Sequence, residues 1–125
     1  MNEADQKAQE DAIVNMFKIL AASGKLIKIS ELDMGIVDKE FGTAIKTENV
    51  TYEQQLKMAE FYQFIINKYF EIIPVEQQYG ITQWCATDSP ADSGWRPGEP
   101  TGLWNSSFKR KRRMLDLLMD LLVKL

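Results

Sequence analysis

Apolar residues repeat along this chain first with a helical period and then in a short, dense run, and the two patterns alternate. Ile13, Phe17 and Leu20 fall at helical spacing, Val14 and Met16 widen the stripe, and together they predict a helix over residues 4–23. Gly24 follows as its expected C-terminal cap, because glycine takes the left-handed conformation at little cost. Residues 25–32 then hold Leu26, Ile27, Ile29 and Leu32, the partly β-branched density of a strand. No period is visible over 35–49, which reads as a long loop. Thr51 and Gln54 have the T-x-x-Q spacing of a capping box, which opens a helix running to about Ile73. Its stripe is Tyr62, Ile66, Tyr69 and Ile73, extended by Leu56 and Ala59, and Pro74 ends it. A short second strand is expected over 79–85 and a Gly-, Pro- and Ser-rich loop over 88–105. A last helix is expected over 108–125, with Leu118, Leu121, Leu122 and Leu125 on its apolar side.

Helix, strand, helix, strand, helix is the order of an α/β protein whose parallel strands are covered by helices. Two strands are too few for a stable parallel sheet, and a parallel sheet needs cover on both faces. The pattern therefore implies further strands, upstream or on a partner.

Composition narrows the chemistry. The 125 residues suffice for one small core. A net charge of −3 gives no global signal for nucleic acid or a membrane surface, and no apolar run is long enough to span a bilayer. The single cysteine, Cys85, rules out an internal disulfide framework. Met1 to Glu10 is polar and acidic, unlike a signal peptide. The chain has no histidine, which excludes Ser-His-Asp and Cys-His mechanisms and imidazole-based metal sites within it.

Two clusters remain as candidates. Glu31 and Asp33 lie two residues apart at the end of the first strand, so they share one face where a parallel sheet opens toward its ligand crevice. A solvated strand end has the same look, and spacing alone leaves both readings open. The second strand ends in Gln83-Trp84-Cys85, and Trp95 and Trp104 follow in a loop of Gly, Pro and Asp. Such a loop suits carbohydrate, whose C–H faces pack on indole while polar side chains meet its hydroxyls. Tryptophans that merely cover the mouth of the fold would read alike.

Ile29-Ser30-Glu31-Leu32-Asp33 resembles the nucleophile motif of glycoside hydrolase family 10, the endo-1,4-β-xylanases, at the end of barrel strand seven. Gly80-Ile81-Thr82-Gln83-Trp84, then Asp88-Ser89 and Trp95, is similar to the family's eighth strand and its loop. The resemblance spans about residues 10–112. It implies a partial (β/α)8 TIM barrel made of the last two strand–helix units. It implies hydrolysis of β-1,4-xylosidic bonds with retention, with Glu31 as nucleophile, Asp33 orienting a histidine beside it, and Trp84 and Trp95 walling the sugar pocket. Xylan or a xylo-oligosaccharide is then the partner. No cofactor or metal is implied, and the location is secreted or periplasmic.

The chain also departs from that pattern. The family's acid/base glutamate sits in an Asn-Glu motif on the fourth strand, and Asn2-Glu3 has no strand before it. The family's histidines are absent too. The isolated chain is therefore expected to have little or no xylanase activity, with a complementary chain or self-association supplying the missing strands. The tail is atypical: Lys109-Arg110-Lys111-Arg112-Arg113 precedes a leucine-rich stretch. It reads as a solvated basic turn before a packing helix, and contact with nucleic acid or a membrane surface is the weaker alternative. A third alternative is a replaced tail that covers exposed barrel surface. A catalytically inactive carbohydrate-binding or interaction module is the alternative for the whole chain. A small α/β protein unrelated to sugars would make the motif match a coincidence.

Overall fold

A computed structural model describes residues 3–111. Its elements are helix α1 (Glu3–Ala22), strand β1 (Ile27–Leu32), helix α2 (Tyr52–Ile72) and strand β2 (Gln78–Gln83). The strands form a two-stranded parallel sheet, so the expected alternation is present.

The helices end where their local chemistry says they should. Thr51 and Gln54 form both halves of the capping box, Gln54 N–H to Thr51 Oγ1 at 3.2 Å and Thr51 N–H to Gln54 Oε1 at 2.9 Å. Gly24 closes α1 at a φ of +67°, its N–H bonded to the Ala21 carbonyl at 3.3 Å. The end of α2 is satisfied from outside: the Gln78 side-chain amide donates to the Ile73 carbonyl at 2.8 Å and the Phe70 carbonyl at 3.3 Å.

The core lies between the helices and one side of the sheet. Phe17, Ile27, Tyr69 and Ile73 form one buried cluster, and Leu32, Met58, Ala59 and Tyr62 another. Ile29, Ile65 and Ile81 pack against both. The α2 stripe faces inward as its period requires, with Met58 as a buried member that the spacing did not single out. Phe17 and Tyr69 meet edge to face at 6.0 Å between centroids.

The ladder is irregular. Ile27 pairs with Gln78 but Lys28 with Gly80, so Tyr79 is passed over, and a second shift falls between Ile29 and Leu32. Gly80 has a φ of +142°, which glycine alone adopts without strain. The Tyr69 hydroxyl closes the gap, accepting from Gly80 N–H at 3.1 Å and donating to the Ile27 carbonyl at 2.7 Å. The second shift explains why Ile27 and Leu32, five positions apart, are both buried, which strict alternation forbids.

The other side of the sheet is uncovered among the described residues. Lys28, Ser30, Tyr79 and Thr82 are exposed, and the Lys28 ammonium sits 6.0 Å from the Tyr79 ring centroid. A parallel sheet with an open face is the unfinished architecture that the sequence implied.

Three expectations need correction. The first strand begins at Ile27, leaving Leu26 exposed, and the second ends at Gln83, before Trp84 and Cys85. The stretch from Phe108 to Lys111 is not helical: Phe108 has a φ of +57°, and Arg110 forms an antiparallel bridge with Trp104. Nor is the basic run simply solvated, because Lys111 is buried against Asp88. The rest of the expected last helix, 112–125, lies outside the described residues.

Candidate functional site

Both strands point their C-terminal ends the same way, and the candidate residues gather there. Leu32 pairs with Gln83, and the Trp84 N–H extends the ladder by bonding the Leu32 carbonyl at 3.1 Å. Glu31, the last residue but one of β1, and Trp84, the first beyond β2, therefore flank the same end of the sheet. Glu31 is exposed, with no hydrogen-bond or ion-pair partner among the described residues. Asp33 lies one residue past the strand and is mostly covered.

Trp84 and Trp95 come together although eleven positions separate them in sequence. Their rings meet edge to face, with centroids 6.4 Å apart and planes at 75°. They remain 53% and 41% exposed, so this is an aromatic pair left open to solvent rather than a piece of core. Trp104 behaves differently: it is half-buried, its backbone bridges Thr87 and Arg110, and it frames the loop.

Asp33 and Trp95 are joined by a residue the sequence reading passed over. The Arg96 guanidinium donates to Asp33 Oδ2 at 2.6 Å and to Glu99 Oε2 at 3.0 Å through Nε and 2.9 Å through Nη2. It also lies 5.6 Å from the Trp95 ring centroid. Gly35 makes room for it, since a Cβ there would overlap the guanidinium. Asp33 and Arg96 are 63 positions apart, so no local spacing could have paired them.

Behind the tryptophans the site rests on buried polar groups. Gln83 donates from its amide to the Tyr62 hydroxyl and the Thr101 carbonyl, both at 3.4 Å. Burial pushes the Tyr62 phenol up to about 12. In the 88–111 loop, Asp88 is 1% exposed and accepts from the Gly102 N–H at 3.1 Å and from the Lys111 ammonium. Lys111 also donates to the Pro100 carbonyl at 3.2 Å. Burial holds its pKa below the usual lysine value, and the Asp88 carboxylate opposes that shift.

The surface at Glu31 is open. A groove of about 970 Å³ runs between the start of α1, residues 34–37 and the first turns of α2, and a hollow of about 560 Å³ lies beside Asp88 and Lys111. Neither is lined by Glu31, Trp84 or Trp95. An exposed carboxylate at the same sheet end as two half-open indole faces can meet a polyhydroxylated ring with apolar C–H faces, but from one side only.

No family model and no curated protein sequence matches the chain. Solved structures do. A catalytic core of xylanase A aligns over 86% of this chain and 34% of its own, with 23% identity and a TM-score of 0.66. A thermostable mutant of the xylanase Xyn10A from Cellvibrio japonicus aligns over 89% and 35%, with 22% identity and a TM-score of 0.70. A GH10 endoxylanase from a sugarcane soil metagenome aligns over 90% and 35%, with 20% identity and a TM-score of 0.68. The chain thus has an α/β fold that matches part of the xylanase barrels, and it spans about a third of the length of those structures.

Proposed function

We propose that the chain forms one wall of a retaining endo-1,4-β-xylanase active site, as barrel strands seven and eight with their helices. Glu31 is the nucleophile that attacks the anomeric carbon, and Trp84 and Trp95 hold the sugar ring against it. The observation that carries this reading is the exposed Glu31, without a side-chain partner among the described residues, at the same sheet end as the open tryptophan pair. The fold likeness to xylanase cores supports it.

Retaining hydrolysis also needs a second carboxyl group about 5–5.5 Å from the first, to protonate the leaving oxygen. Asp33 does not suit that task, because Arg96 engages it. The acid/base therefore comes from polypeptide that also covers the open sheet face. The substrate is xylan or a xylo-oligosaccharide, handled outside the cytoplasm because the polymer cannot enter a cell.

The experiment is reducing-sugar release from xylan by the purified chain, alone and mixed with the complementary strands one to six of a xylanase barrel. We expect none from the chain alone, turnover in the mixture, and loss of that turnover with Glu31→Ala. Turnover that survives Glu31→Ala would remove the nucleophile assignment.

The open tryptophan pair also favours a second reading, a binding module that keeps the sugar wall without the chemistry. Xylohexaose that shifts tryptophan fluorescence equally in the wild type and in Glu31→Ala, with no turnover in any mixture, would select it.

A further inference from the structure

Arg96 is fixed more firmly than its place in a surface loop would suggest. Its guanidinium spans two carboxylates from different parts of the chain, Asp33 at the end of β1 and Glu99 in the loop. It packs over the Trp95 ring at 5.6 Å, and Gly35 clears the space it occupies. Its own backbone sits at a φ of +48°, a left-handed conformation that strains a non-glycine residue and persists only where neighbours enforce it. Trp95 is anchored on its other side, where its carbonyl accepts from the Ser89 and Ser93 hydroxyls, each at 2.8 Å. Arg96 thus ties the end of β1 to this loop through its ion pairs.

We propose that Arg96 is the positioning residue of the site: it couples the strand end bearing Glu31 to the loop bearing Trp95, and so fixes the spacing between carboxylate and indole wall. This rests on the reading of Trp84 and Trp95 as a sugar wall and adds the residue that sets it. Arginine is required here. Its planar fork meets two carboxylates and stacks on an aromatic face at once, which a single ammonium cannot do.

Full-length wild type, Arg96→Ala, Arg96→Lys and Asp33→Asn are compared by two readouts. One is the exciton band of the Trp84–Trp95 pair in circular dichroism, and the other is the tryptophan fluorescence response to xylohexaose. The helical signal reports folding separately. Arg96→Ala and Asp33→Asn are each expected to lose the exciton band with the helical signal retained. Both should weaken xylohexaose binding by about tenfold, the scale that loss of one well-placed aromatic contact produces. Arg96→Lys should restore neither. An exciton band unchanged in Arg96→Ala overturns the proposal. Should that variant fail to fold, an unchanged band in both Arg96→Lys and Asp33→Asn overturns it instead. A band lost in the variants while the wild type ignores xylohexaose upholds the positioning role and overturns the sugar reading.

Discussion

Tyr62 is 1% exposed, packed in the cluster with Leu32, Met58 and Ala59, and its phenol is pushed up to about 12 from an ordinary value of 10. Below pH 10 the folded and unfolded chains both keep this proton, and the folded state loses nothing. Between pH 10 and 12 the unfolded chain gives it up first, so stability falls as pH rises. The full difference corresponds to about 3 kcal/mol. Tyr62→Phe should therefore flatten the stability profile over that window while costing little at pH 7, because its bond from Gln83 is long at 3.4 Å. Urea midpoints at pH 8 and pH 11 check this, and equal losses in both proteins would discount burial as the cause. At this scale the positions of Glu31, Asp33 and Trp84 at the strand ends were legible, because local spacing places them there. Arg96 stayed hidden because its partner Asp33 is 63 positions away, and a charge beside Trp95 looks like any surface charge.

Elements were legible where their signals are local. The Thr51–Gln54 box, Gly24 and the Tyr62–Tyr69–Ile73 stripe each act within a few residues, and each is where its spacing put it. The segment from 88 to 111 was legible only as irregular. Its order comes from ties that sequence spacing does not reveal: the Gly102 backbone lies so close to Thr87 that no Cβ fits, and Asp88 collects Gly102 and Lys111. Lys111 was masked by its neighbours, since a run of five basic residues suggests a solvated turn whichever member is buried. Breaking such a pair from one side leaves a buried charge alone, which costs about 3–5 kcal/mol. Asp88→Ala should destabilise the chain by that order and also strand the Gly102 N–H. Asp88→Asn combined with Lys111→Met keeps an acceptor for Gly102 and removes both charges, so it should recover most of the loss. Urea unfolding of the single and double variants tests the comparison. A double variant no better than Asp88→Ala would mean that the charge pair is not what organises the loop.

At the scale of the whole molecule, the helices cover one side of the sheet and, among the described residues, nothing covers the other. Two parallel strands with a single covered face are short of what such a sheet needs. The outer edge of each strand also offers unpaired backbone groups among the described residues, a template for further strands. Leu26 and Tyr79, 64% and 66% exposed, border that open face. Alone in solution, the full chain should therefore self-associate, with a sedimentation coefficient that rises with concentration over the micromolar range. Leu26→Glu with Tyr79→Glu adds charge where strands would dock and should shift the chain toward monomer without touching the buried clusters. Adding complementary barrel strands should compete with self-association, because both use the same edges and face. A concentration-independent monomer in the wild type would show that the open face is stable in water, and the proposed covering polypeptide would lose this support. Self-association that the complementary strands do not reduce would place the contact elsewhere. Exposed Met16 and Ile19 on α1 would be the next surface to vary.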